Sequence, residues 1–211
     1  SNLKVPLQQI ARLSKDYKVV ITHGNGPQVG HLLLQQEKMP ENTKKPLEVL
    51  VAETQGQIGY MIELTLDNEF RNMGVNDPFI STILTYVKVS QVDPAFKNPT
   101  KPVGPAFKTK KEGFVKTAKG WRKVVPSPNP EKIIVWREIK TLIDNGFIVI
   151  ACGGGGIPVV TDSKNLACSI LSINTLCASP PDFPALVAIF SASAPAPVRS
   201  EERRVGKACR L

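Results

Sequence analysis

The 211-residue chain reads as an α/β sandwich with a mainly parallel sheet, and three observations point there. Two short runs rich in branched apolar residues, 18–22 and 147–151, each empty into a glycine-rich turn. Stretches with helical periodicity alternate with such runs, which is the order that β-α-β units impose. No apolar run approaches the ~20 residues that a bilayer-spanning helix needs. With 42% hydrophobic and 21% charged residues, the composition also excludes a disordered chain and a coiled coil.

Taken in order, Leu3, Leu7, Ile10 and Leu13 recur at helical spacing and predict a first helix through about Tyr17. Lys18-Val19-Val20-Ile21-Thr22 is long enough for a buried strand and too short for a helix. After His23-Gly24-Asn25-Gly26-Pro27, the residues Leu32, Leu33 and Leu34 resume a helix. Pro46 opens a long helical pattern to about Met73, and Gly56 and Gly59 within it read as sites of close packing. Residues 80–89 read as one strand. Residues 93–129, rich in Pro, Lys and Gly, read as an excursion from the main sheet. Pro130 is expected to start a helix that closes at Gly146, ahead of the strand at 147–151. Leu166, Ile170 and Ile173 suggest one more helix. From Ser179 the prolines and the charged end predict little order and no further strand.

The net charge of +9 is regional. Residues 97–124 carry nine basic side chains and one acid, and residues 199–211 carry five against two, so the remaining body is close to neutral. Such basicity suits nucleic acid, an anionic surface or a phosphate-rich ligand. No recognisable nucleic-acid motif accompanies the lysines, and a non-catalytic polyanion-binding module stays as the rival reading. The cysteines Cys152, Cys168, Cys177 and Cys209 have no C-x-x-C pairing, so neither a zinc site nor a disulfide framework is expected. Reduced thiols and the lack of a leader predict a cytoplasmic protein.

Ligands of open α/β sheets bind at the C-terminal ends of the strands, where both glycine turns fall. Glycine lets a backbone approach a phosphate, and the helix that follows supplies free N–H groups and a positive dipole end. Neither turn matches a P-loop or a dinucleotide fingerprint. Phosphoryl transfer asks for positioned donors and one or two lysines. Lys101, between Pro99 and Pro102, is the lysine best suited, although a solvated loop lysine fits the same pattern. His23 reads as a satisfied histidine rather than a base.

The segments 20–36, 55–62, 93–96, 98–105, 124–128 and 148–159 together resemble the carbamate kinases. The signature stretches are His23-Gly24-Asn25-Gly26-Pro27-Gln28, Asn98-Pro99-Thr100-Lys101-Pro102, Val124-Val125-Pro126-Ser127-Pro128 and Cys152-Gly153-Gly154-Gly155-Gly156. The likeness covers about residues 3–160. It implies the amino-acid-kinase fold, a three-layer α/β/α sandwich, normally as a homodimer. The reaction implied is reversible phosphoryl transfer between ATP and carbamate, giving carbamoyl phosphate and ADP with Mg²⁺. That chemistry serves arginine breakdown, needs only small-molecule partners and involves neither nucleic acid nor membrane.

By the same resemblance, His23, Gly24, Asn25 and Gly26 hold the carbamate end, and Gly153, Gly154, Gly155 and Gly156 face the nucleotide. Lys101 projects from a lid subdomain at about 93–129. Ser163-Lys164-Asn165-Leu166-Ala167 resembles a family segment whose lysine acts on the transferring phosphoryl group, which assigns Lys164 a catalytic role beside Lys101. The family pattern also has an earlier glycine-rich strand and a later adenine-binding half that have no counterpart here. Residues 1–178 are therefore expected to form a partial kinase domain without a complete ATP site. Residues 179–211 are expected to be a tail foreign to it. Another amino-acid kinase acting on a carboxylate is the remaining alternative.

Overall fold

The computed structural model describes residues 3–161 in full, together with the backbone of two strands, Ala167–Ser169 and Leu186–Ser191. Helix α1 (Lys4–Leu13) leads into strand β1 (Tyr17–Thr22). Tyr17, expected at the end of the helix, instead begins the strand. Helix α2 (Gly26–Gln36) and the 26-residue helix α3 (Leu47–Asn72) follow. Strands β2 (Ile80–Thr82) and β3 (Tyr86–Val89) come next, then β4 (Lys101–Phe107), β5 (Phe114–Thr117), β6 (Gly120–Val125) and β7 (Pro130–Ile133). Helix α4 (Trp136–Asp144) precedes β8 (Ile148–Ile150) and β9 (Ile157–Thr161), and the two backbone-only strands are β10 and β11. Among the described residues no helix is long and apolar enough to cross a membrane.

One sheet runs β11-β1-β8-β2, with β1, β8 and β2 parallel and β11 antiparallel at the edge. A second runs β10-β9-β3-β7, with β9 and β3 parallel. The ladder between residues 80–89 and 148–161 crosses from one sheet to the other. Ile83 N–H donates to the Ile150 carbonyl at 2.9 Å, and Ile157 N–H donates to the Thr85 carbonyl at 2.8 Å. Strand β8 shows the layering residue by residue. Ile148 and Ile150 pack with Leu7, Ile10, Ile62 and Leu66 of α1 and α3, while Val149 packs with Ile139 and Ile143 of α4. A pleated strand sends successive side chains to opposite faces, so an all-apolar strand of this kind requires helices on both. The predicted α/β/α arrangement is present.

Further sequence expectations differ from the structure. The single strand at 80–89 is broken at 83–85, because Thr85 turns its backbone toward a side chain of α3 (below). Pro130 lies in an edge strand rather than a helix; proline lacks the N–H of an interior ladder and is tolerated at an edge. The helix expected around Leu166 and Ile170 is replaced, at 167–169, by strand β10 paired to β9. Within 179–211, where no strand was expected, the run Leu186–Ser191 pairs along the whole of β1. Of the glycine pair in α3, only Gly59 is in close contact: a Cβ there would lie 2.3 Å from Thr82 Cγ2, whereas Gly56 faces open space.

The excursion is a three-stranded antiparallel sheet, β4-β6-β5. Val103 and Val125 anchor it in a cluster with Val29 of α2 and Leu47, Leu50 and Val51 of α3. At its tightest point, Gly104 (φ +68°) lies on Gly30 of α2, and a Cβ on Gly30 would fall 1.9 Å from Gly104 Cα. Backbone against backbone leaves no flexible group to yield. Gly30→Ala is accordingly expected to lower the stability of the folded chain by about 1–3 kcal/mol, the usual range for overpacking, as read by urea unfolding. An unchanged midpoint would show that the sheet does not dock on α2 in this way.

Candidate functional site

Both glycine turns leave the C-terminal ends of adjacent parallel strands, β1 and β8, and the structure brings them together. Thr22 Oγ1 donates to the Cys152 carbonyl at 3.1 Å, and Gly154 N–H donates to the His23 carbonyl at 2.8 Å. The approach is so close that a Cβ on Gly153 would lie 2.6 Å from His23 Cε1, and one on Gly154 2.3 Å from Asn25 Oδ1. Cys152 is left-handed at φ +56°, and Gly154, Gly155 and Gly156 all have positive φ. Only glycine adopts that succession without strain, which explains the four-glycine run.

The first turn is held from behind by α3. Asn25, fully buried, donates from Nδ2 to Thr54 Oγ1 at 2.9 Å. Thr54 Oγ1 itself lies 2.9 Å from the carbonyls of both Leu50 and Val51, and its single proton goes to them. Thr54 can therefore only accept from Asn25, which fixes the orientation of the carboxamide and leaves Oδ1 toward Gly154 with no partner among the described residues. Asn25 precedes α2 without capping it, and no acid stands in the first turn of that helix. The positive end of α2 is thus not neutralised locally.

The second turn is held by the next residue of α3. Gln55, 1% exposed, donates from Nε2 to the carbonyls of Gly153 (2.8 Å) and Thr85 (3.1 Å) and accepts from Thr85 N–H (2.8 Å). Thr85 Oγ1 in turn accepts from Cys152 N–H at 2.8 Å. Thr54, Gln55 and Thr85 were not singled out from the sequence. Their signal was available: Thr54 and Gln55 occupy the buried face of α3 between Leu50 and Ile62, where helical periodicity calls for apolar residues.

The other expected residues fall as follows. Gly154, Gly155 and Gly156 donate their N–H groups to the carbonyls of His23, Cys152 and Gly153, so these glycines contribute close approach more than free donors. Lys101 is the first residue of β4, half-buried, opposite Val125. Alternation places it on the same face as Val103, the face packed on α2 and α3. Lys164 lies outside the described residues. Of the remaining lid cations, Lys111 Nζ sits 4.4 Å from the centroid of Phe107 and Lys110 Nζ 5.7 Å from that of Trp121, so part of the positive charge is engaged with the lid's own rings.

His23 is 7% exposed, with Nδ1 3.3 Å from the Gly24 carbonyl. Burial pushes its pKa below 6.5, and the carbonyl opposes this only in part. A base depressed in the folded state binds its proton more readily when unfolded. Its contribution to stability is therefore present above about pH 6.5 and is lost as pH falls through the folded pKa. The urea midpoint should drop between about pH 7.5 and pH 5.5, and His23→Gln should flatten that drop; equal slopes in both proteins would refute the assignment. Gln55→Ala leaves the buried Thr85 N–H without its acceptor and removes one of two donors from each of the Gly153 and Thr85 carbonyls; it is expected to cost about 1–3 kcal/mol in the same measurement at neutral pH.

The profile of the Amino acid kinase family matches residues 1–178. Carbamate kinase of Thermococcus kodakarensis is 46% identical over 180 residues, a match covering 78% of this chain and 57% of that protein. Carbamate kinase 1 of Enterococcus faecium is 47% identical over 160 residues, covering 70% and 51%. Among solved structures, carbamate kinase from Giardia lamblia bound to citric acid superposes with a TM-score of 0.75 at 37% identity, covering 85% of this chain and 59% of that one. The chain spans between half and three-fifths of the length of these relatives. Their agreement with the fold and with the family profile assigns it plainly: this chain belongs to the amino acid kinase family.

Proposed function

We propose that this chain is the carbamate-binding portion of a carbamate kinase, an enzyme that transfers a phosphoryl group reversibly between ATP and carbamate. The observation that carries the reading is the stitched pair of turns, the first of which opens the helix on which the basic lid docks. Two features support an oxyanion there: the helix N-terminus at Gly26, with no acid in its first turn, and the half-buried Lys101 on the body-facing side of β4. In the forward direction a carboxylate oxygen of carbamate attacks the γ-phosphorus of ATP, and the bond from that phosphorus to the ADP oxygen breaks. No proton has to move, so no general base is required, which suits a His23 kept neutral by burial. Gly24, Asn25 and Gly26 hold the carbamate, Lys101 and Lys164 balance charge on the migrating group, and Gly153 to Gly156 line the nucleotide side by allowing close approach.

Mg²⁺ enters as the metal of the MgATP substrate. The described residues do not gather three potential ligands, so none of their roles passes through it. The carbamate kinase of Giardia lamblia has been seen bound to AMP-PNP, which supports ATP as the nucleotide. The outer face of α3, with Gly56 open and Tyr60, Met61 and Leu64 between 46% and 63% exposed, supports the homodimer as the assembly. We place the enzyme in the cytoplasm, in arginine breakdown, with small molecules as its only substrates.

The test is a titration of the ¹⁵N-labelled 211-residue chain with carbamoyl phosphate. Saturable shifts of the Gly24, Asn25 and Gly26 amides are expected, and their absence would overturn the reading. In a coupled assay with carbamoyl phosphate and MgADP, the chain alone should form ATP at or near the background rate. Turnover well above background would show that it already carries a working nucleotide site.

A further inference from the structure

We propose that Asp93 is a positioning residue for Lys101, acting by clamping together the two segments that join the lid to the body. The inference rests on the reading above, which gives Lys101 its part in holding a phosphoryl group, and adds the residue that aims it. The lid leaves the body after β3 and returns to it at β7, and these two strands pair antiparallel. Their ladder ends at Val89 opposite Pro130, where the register slips and proline offers no N–H to continue it. The lid's own ladder begins at Lys101 opposite Val125. Between the two ladders the chain crosses twice, as residues 90–100 and 126–129, and neither crossing belongs to a sheet.

Asp93, half-buried, spans this gap with both carboxylate oxygens. Oδ1 accepts the Ala95 N–H at 2.8 Å and so caps the single turn Pro94–Phe96. Oδ2 accepts the Asn129 N–H of the returning crossing at 2.9 Å. Among the described residues no other hydrogen bond joins the two crossings. The outgoing crossing is itself fixed to the body. Asp93 N–H donates to the Ser90 carbonyl at 3.2 Å, and Phe96 packs on the core cluster that Val87 and Val89 share with Ile133. Asp93 passes that anchorage to the returning crossing, four residues from Val125, the partner of Lys101. Pro94, Pro99, Pro126 and Pro128 restrict the backbone of both crossings.

Lys101 therefore stands between two fixed points. Below it is the carboxylate clamp. Above it is Gly104, which lies on Gly30 of α2 and accepts at its carbonyl from Nε of the buried Arg122 at 3.0 Å, across the bulge of β4. A carboxylate suits the clamp: ionised, it carries no donor, and it accepts from two N–H groups at once with charge-assisted bonds. Asparagine would set its NH₂ against one of them, and serine has a single oxygen, enough for Ala95 alone.

The experiment uses the 211-residue chain as wild type, Asp93→Ser, Lys101→Ala and the double variant, titrated with carbamoyl phosphate and followed at the Gly24, Asn25 and Gly26 amides. Hydrogen exchange checks the substitution: in Asp93→Ser the Asn129 amide should exchange faster and the Ala95 amide should not. Asp93→Ser is expected to weaken binding, by a factor about three or more times greater in the wild-type background than in the Lys101→Ala background. A merely structural role would weaken both backgrounds alike. Asp93→Asn, which keeps an oxygen for Ala95 and turns an NH₂ toward Asn129, is expected to repeat the pattern and replaces serine if that variant does not fold. A smaller ratio between the two backgrounds, or unchanged exchange at Asn129, overturns the proposal. Wild-type amides at Gly24–Gly26 that ignore carbamoyl phosphate would overturn the reading of the site and this proposal with it. A normal response there with equal affinity in Asp93→Ser would overturn the proposal alone.

Discussion

Gln55 is the constraint on which the arrangement of the site depends. Its carboxamide spends both donor protons on the carbonyls of Gly153 and Thr85 and its oxygen on the N–H of Thr85, inside a core where water cannot substitute. One side chain thereby ties α3 to the break between β2 and β3 and to the turn after β8. Thr54, its neighbour in the helix, ties α3 to the turn after β1 through Asn25. Two turns 130 residues apart in the chain are thus set by adjacent residues of one helix. Their mutual approach, with Gly153 on His23 and Gly154 on Asn25, follows from that shared support.

The lid obeys a similar economy of contact. Apolar burial at Val103 and Val125 brings it to α2 and α3, but the Gly30–Gly104 contact decides how near it comes. Alternation along β4 puts Lys101 on the body-facing side of the sheet. The basic composition of 97–124 is therefore not one uniform field. Some of its charge lies on the rings of Phe107, Phe114 and Trp121, and one cation is buried. Exposed charges are screened over about 10 Å at ordinary salt, so the net charge of the segment says little about any one of its cations.

Much of this was legible in the residues. The strand at 18–22, the long helix after Pro46 and the apolar run before Cys152 announced themselves through period and length. Both glycine turns could be placed at the C-terminal edge of a parallel sheet from local pattern alone. Where the reading missed, a non-local partner had overridden a local preference. Residues 80–89 look like one strand until Thr85 is captured by Gln55. Pro130 looks like a helix start until its missing N–H is seen at a sheet edge. Gly56 and Gly59 look alike in sequence, yet only Gly59 meets another residue.

The sequence by itself determined the α/β class, the position of the two turns and the family resemblance, because strand period, helical period and glycine placement are local properties of the chain. Tertiary structure alone decided which polar residues support those turns. It also decided which glycines are obligatory and which of many cations is enclosed. Burial, close approach and hydrogen-bond pairing depend on elements that meet only after folding: Thr54 with Asn25, Gln55 with Gly153, Gly30 with Gly104, and Arg122 under the bulge it helps to hold.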